Sequence, residues 1–179
     1  MLGFKITRDR NAKLLYLDQK YYLEKVLKKF KMAKSKVLST LVSQGTVLSK
    51  NMCPKDKEEQ EFMENVPYAQ AVGSLMYAMT STRPYICHTV WLVSIYQFNL
   101  GRAYWQEVKR NFRYLQGTKS MKLCFGISDL EIIRYRDADF ARDVDDKKST
   151  GGHVFLFGGT TVSWLSKKQG CIAKHTMEE

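Results

Sequence analysis

The hydrophobic period of the chain changes at Gly126, and this limits the fold more than any other feature. Before it, apolar residues recur mainly at helical spacing; after it they alternate. Residues 19–33 put Leu23, Val26, Leu27 and Phe30 on one face, behind Asp18 as a cap, with Lys25, Lys28, Lys29 and Lys31 mostly elsewhere. A helix after Pro67 carries Val72, Leu75 and Met79. Another after Pro84 carries Ile86, Val90, Val93 and Trp91. A third spans 103–116 with Trp105, Val108, Phe112 and Leu115, closed by Gly117. Residues 2–8 and 13–17 read as short strands around Asp9-Arg10-Asn11, and 35–66 reads as mostly loop. Beyond Gly126, residues 130–137 read as a strand and 152–157 with 161–165 as a hairpin around Gly158-Gly159-Thr160. Residues 173–179 read as the start of a helix. The expected class is α+β, a mainly helical part followed by a three-stranded antiparallel sheet.

Charge divides the chain at nearly the same place. Residues 1–50 carry twelve Lys/Arg against three Asp/Glu, residues 51–66 two against five, and residues 67–128 seven against one. Residues 129–179 carry eight against nine, so the formal net charge of +11 lies almost wholly upstream of the alternating segment. A hydrophobic fraction of 44% allows a packed core and excludes a disordered chain. No run approaches the ~18 apolar residues of a spanning helix, and charge enters already at Lys5, so neither a membrane partner nor a secretory signal is expected. The cysteines at 53, 87, 124 and 171 form no Cys-x-x-Cys pair, which points to free thiols in a reducing compartment rather than a disulfide framework or a zinc site.

Two features carry candidate chemistry. Lys25, Lys28, Lys29 and Lys31 on the first helix, with Lys109, Arg110 and Arg113 on the last, suit contact with a phosphate backbone, which gives affinity without sequence choice. Tyr77, Trp91, Trp105 and Phe112, at helical spacing, read as core rather than as stacking platforms for bases. Asp143-Val144-Asp145-Asp146 has paired aspartates like a polymerase hairpin, but no Tyr precedes Val144 and no strand pair surrounds it. It reads as a solvated acidic loop.

The string Pro67-Tyr68-Ala69-Gln70-Ala71-Val72-Gly73-Ser74-Leu75-Met76-Tyr77-Ala78 resembles a segment of copia-type LTR-retrotransposon Pol polyproteins. The resemblance continues through Thr82-Arg83-Pro84, Trp105, Arg113-Tyr114-Leu115-x-Gly117-Thr118 and Asp137-Ala138-Asp139. It extends to Lys148-Ser149-Thr150-x-Gly152 and Val162-Ser163-Trp164-x-Ser166-Lys167, and it includes Leu2-Gly3 and Leu17-x-Gln19-Lys20-x-Tyr22 near the start. It covers essentially the whole chain in order.

The resemblance implies that residues 1–126 are the C-terminal part of a reverse transcriptase with its connection, downstream of the palm. Residues 127–179 would then be the opening of a ribonuclease H-like domain, a three-stranded antiparallel sheet followed by a helix. Such a nuclease cleaves the RNA strand of an RNA–DNA hybrid with two Mg²⁺ ions held by carboxylates, oxygen being the ligand a hard cation prefers. The family's first metal-binding Asp falls on Asp137 and its Glu on Glu178, both catalytic and metal positions. Its remaining aspartates, and the palm motif, are expected outside these 179 residues. The implied partner is an RNA–DNA hybrid or other duplex backbone, with no small-molecule cofactor, in the cytoplasm (a virus-like particle in an intact element) or the nucleus.

Several residues depart from the family pattern: Tyr85 where Asp is usual, Leu100 in the segment before the Trp helix, Arg134 where Gly is common, His175 before Glu178, and Glu179 where a small residue is usual. The expectation is therefore a fragment of a Pol polyprotein that is catalytically inactive on its own. The alternatives are a retained basic module that binds nucleic acid without catalysis, or a transposon remnant with no selected role. An open three-stranded sheet is expected to leave an apolar face and free edges, which favour aggregation.

Overall fold

A computed structural model describes residues 3–42, 47–126, 130–139 and 143–172. The protein is mixed helix and sheet, as its periodicity predicts, and forms two compact units: Leu23–Lys119, and Met1–Tyr22 with Ser120–Glu179. The charge boundary near residue 127 falls inside the second of these, so charge and packing divide the chain differently. No disulfide joins the four cysteines.

The first unit is helical. α1 (Lys20–Lys29) buries Leu23, Val26 and Leu27, the face its spacing predicts, and the Asp18 carboxylate caps its start by accepting from the Lys20 N–H at 3.1 Å. Its end is a Schellman turn: the Met32 N–H donates to the Leu27 carbonyl at 2.7 Å and the Lys31 N–H to that of Lys28 at 3.1 Å. Lys31 takes the left-handed conformation (φ 57°) that such a turn requires, a position where glycine is the usual residue.

α3 (Tyr68–Thr82), α4 (Cys87–Ile95) and α5 (Arg102–Thr118) build the core. Val72, Leu75, Ile86, Val90, Val93, Val108, Phe112 and Leu115 are all buried, each contributing roughly 1.5–3 kcal/mol. Phe30 stacks on Phe112 at 5.0 Å, which ties the end of α1 to α5. Three buried tyrosines add polar anchors that apolar spacing does not reveal. The Tyr68 hydroxyl donates to the Val93 carbonyl at 2.8 Å, that of Tyr96 to Leu48 at 3.0 Å and that of Tyr104 to Ser49 at 2.7 Å. Burial raises the Tyr68 phenol far above its ordinary value, so it stays a donor.

Among the described residues the largest fully buried side chain is Arg83, 1% exposed. One terminal nitrogen donates to the Thr118 carbonyl at 3.0 Å and to the Tyr85 hydroxyl at 2.7 Å; the other donates to the Lys119 carbonyl at 3.1 Å. The guanidinium thus lies on the C-terminal carbonyls of α5, where the helix dipole favours a cation.

Two segments differ from expectation. Residues 57–64, expected as loop, form α2 (Lys57–Glu64). Only Met63 is buried there, so no apolar stripe marks the helix, but Asp56 accepts from the Glu59 N–H at 2.7 Å as an N-cap. Gly117 does not close α5, which runs on to Thr118; its small size instead admits the Val37 side chain, which an added Cβ would strike. Gly101, the residue before α5, is needed in the same way because a Cβ there would meet the Met52 carbonyl oxygen.

The second unit holds two antiparallel three-stranded sheets. In one, β1 (Lys5–Asp9), β2 (Leu14–Asp18) and β3 (Leu123–Phe125) lie in that order. β3 was not expected, since three residues are too few to show a period. In the other, β4 (Ile132–Asp139), β5 (Thr150–Phe157) and β6 (Thr160–Lys168) lie in sequence order, β5 and β6 making the predicted hairpin. The Thr160 hydroxyl donates to the Cys124 carbonyl and so joins β6 to β3. Ile133, Tyr135 and Val162 remain exposed on this second sheet. Residues 173–179, read as a helix start, lie outside the described residues.

The loop before β5 is more ordered than a solvated acidic run. Asp143 accepts from the N–H groups of Asp145 and Asp146, and the Lys168 ammonium bridges the carboxylates of Asp143 and Asp146, the latter at 3.0 Å. Partial burial would raise the Asp143 carboxyl, but the Lys168 hydrogen bond and the Asp146 N–H hold it below its usual 3.8. Burial would likewise lower Lys168, and the two aspartates instead raise it above 10.5.

Arg83→Met should cost roughly 2–4 kcal/mol, because the helix-end carbonyls lose their donors in a buried site. Urea denaturation measures this, and a loss below ~0.5 kcal/mol would contradict the assigned role. For the acidic turn, the lowered carboxyl contributes stability above 3.8 that is lost as pH falls through its folded value, and the raised ammonium contributes below 10.5 until pH rises through its own. The side-chain carboxyl carbon resonance of Asp143 should therefore hold steady until acid stronger than pH 3.8 is reached. A transition centred above 3.8 would contradict the clamp.

Candidate nucleic-acid interface

The helical unit carries fifteen Lys/Arg and seven Asp/Glu, so most of the net positive charge belongs to it. On α5, Gln106, Lys109, Arg110 and Arg113 follow one another at i, i+3, i+4 and i+7, a polar stripe along one helix face. They line an open cleft of about 280 Å³ together with Met32, Leu38 and Glu107. Three of the basic residues expected from sequence thus converge on one site.

The cleft is shaped by residues 32–42, expected only as loop. Arg113 donates through Nε to the Lys36 carbonyl at 2.7 Å, Gln116 through its amide to the Ala33 carbonyl at 2.8 Å, and Arg110 to the Thr40 hydroxyl at 3.1 Å. Glu107 lies 3.7 Å from Arg110 Nε. Gln106 and Glu107 were not singled out in the sequence; the signal for Gln106 was its place in the polar stripe, three residues before Lys109.

The α1 lysines are arranged differently. Lys25, Lys28, Lys29 and Lys31 are all exposed, the middle pair in the last turn of the helix, where cations offset its dipole. Lys31 directly precedes Met32 in the cleft wall, and the Lys29 ammonium lies 5.3 Å from the Phe30 ring centroid. Of the aromatics read as core, Phe112 is fully buried; Tyr77, Trp91 and Trp105 are half-buried, Trp105 against Tyr68.

Asp137 is exposed on β4, two residues before the strand ends, and its carboxylate accepts from the Ala138 N–H at 3.0 Å. Its cross-strand neighbour is Gly152, which offers no ligating side chain. Glu178 lies outside the described residues. Among the described residues no three His, Cys, Asp or Glu side chains come together to hold a metal ion. No helix among the described residues is long and apolar enough to cross a membrane.

No family model and no solved structure matches the chain. It is 48% identical, over 178 residues, to the retrovirus-related Pol polyprotein from transposon TNT 1-94 of Nicotiana tabacum, a match covering 99% of this chain and 13% of that protein. It is 31% identical over 165 residues to the retrovirus-related Pol polyprotein from transposon RE2 of Arabidopsis thaliana, covering 92% of this chain and 11% of that one. It is also 41% identical over 118 residues to Secreted RxLR effector protein 161 of Plasmopara viticola, covering 65% of this chain and 83% of that protein. The chain spans a small part of the polyproteins it matches, and its homologues include retrovirus-related Pol polyproteins from plant transposons.

Proposed function

We propose that the chain is part of a copia-type Pol polyprotein, and that these 179 residues grip an RNA–DNA hybrid without cleaving it. Residues 1–126 are the C-terminal part of a reverse transcriptase with its connection, and residues 127–179 the opening of a ribonuclease H-like domain. This is a division by ancestry, which need not follow the packing that groups residues 1–22 with 120–179. The motif order supports it, as does homology to a Pol polyprotein over 178 residues. The antiparallel β4–β5–β6 sheet, with Asp137 on its first strand, agrees with the start of that nuclease fold.

The observation that carries the functional reading is the cationic cleft of Lys109, Arg110 and Arg113 in the more basic unit. Phosphates neutralised there release counterions, so binding weakens steeply with salt and shows little sequence choice. Asp137 and Glu178 stand as inherited metal positions. Two carboxylates fall short of what a pair of Mg²⁺ ions requires, so cleavage needs acidic residues beyond these two. The same reading puts the chain in the cytoplasm or nucleus, where such hybrids form.

A labelled RNA–DNA hybrid incubated with the 179-residue chain and Mg²⁺ should stay intact while binding it. Turnover that disappears in Asp137→Asn would show the chain to be a working nuclease. The dissociation constant should rise by at least tenfold between about 50 and 200 mM salt; a value that does not move would refute phosphate tracking.

A further inference from the structure

We propose that the α5 cleft is a discrete site for one nucleotide of a strand, with the backbone phosphate held by Lys109 and Arg113 and its sugar against Leu38 and Met32. The proposal rests on the reading of the helical unit as a nucleic-acid contact, and adds where on that unit the strand is anchored. Three features separate this cleft from an ordinary basic helix face.

The first is that the Arg113 guanidinium is held by a neutral acceptor. Arg113 is fixed by a backbone carbonyl, which orients it without cancelling its charge, whereas Arg110 rests on a hydroxyl and beside Glu107. Among the described residues Arg113 is held through Nε, and its planar fork suits two phosphate oxygens. An arginine held in advance also loses less conformational entropy on binding than a free surface lysine.

Charge balance is the second feature. Glu107 is the one carboxylate among the lining residues and lies beside Arg110, with its side chain only 13% exposed. That pairing leaves Lys109 and Arg113 as the cations for an incoming anion, while Arg110 forms a wall braced by Glu107 and Thr40.

Shape is the third. About 280 Å³ is more than a phosphate group alone fills, and the apolar Met32 and Leu38 stand beside the polar stripe. An apolar wall next to two cations matches a sugar joined to a phosphate better than it matches a bare inorganic anion. Gln106 supplies an amide that can both donate to and accept from a sugar hydroxyl.

The test uses the 179-residue chain and a fluorescent RNA–DNA hybrid titrated at several salt concentrations. Lys109→Gln should weaken binding about tenfold, lower the salt slope by about one and leave the thermal unfolding curve unchanged. Arg113→Lys, which keeps the charge and loses the fork, should also weaken binding several-fold. Lys57→Gln, on the acidic α2 segment, should match the parent. If the parent binds the hybrid and both cleft variants bind within twofold of it, the cleft assignment is overturned and the broader nucleic-acid reading stands. If the parent binds no hybrid at all, both fall. Binding of phosphatidylserine vesicles, lost in Lys109→Gln without any hybrid binding, would assign the cleft to a lipid phosphate and overturn the nucleotide assignment.

Discussion

The helical unit depends on a buried cation that rests on the carbonyl end of a helix. Arg83 places three hydrogen bonds where α5 ends, two of them on carbonyls that the helix itself leaves open. The negative end of the helix dipole takes the place of a counter-ion, and the planar fork lets one side chain reach two successive carbonyls. Lysine has the charge but not that geometry. Fixing the end of α5 fixes both its faces: the buried one, with Tyr104, Val108, Phe112 and Leu115, and the polar stripe of Gln106, Lys109, Arg110 and Arg113. The same helix that closes the core therefore presents the candidate site, and its orientation serves both.

Strong periodicity was legible in the sequence, and weak periodicity was not. α1, α3, α4 and α5 fall where apolar spacing puts them, because each buries its apolar set; the β1–β2 pair and the β5–β6 hairpin also fall where they are expected, although β1 is exposed throughout. α2 was hidden since a helix that buries only Met63 has no stripe, although Asp56 with Glu59 three residues on was a readable cap. β3 was hidden by its length. Gly117 was misread as a stop because a glycine that makes room for a neighbour looks the same in sequence as one that ends a helix.

The candidate site was half legible. Lys109, Arg110 and Arg113 could be picked out as residues of one helix, but not the cleft they share, because its other wall is the aperiodic segment 32–42 folded back through carbonyls and one hydroxyl. The acidic run 143–146 shows the same limit. Its charges suggest solvation, and only the fold brings Lys168, more than twenty residues away, onto Asp143 and Asp146. The resemblance and the homologues point to a Pol polyprotein, and the basic α5 cleft is the feature on which the proposed strand contact rests.

The central claim is that the strand lies on the helical unit, at the α5 cleft and the end of α1, and it predicts a pattern of lysine protection. Acetylation of the chain with and without an RNA–DNA hybrid, read by mass spectrometry, measures that pattern directly. The account predicts protection of Lys109 together with Lys28, Lys29 and Lys31, while Lys5, Lys57 and Lys148 react as before. Protection confined to Lys5 and Lys148, with Lys109 fully reactive, would contradict it.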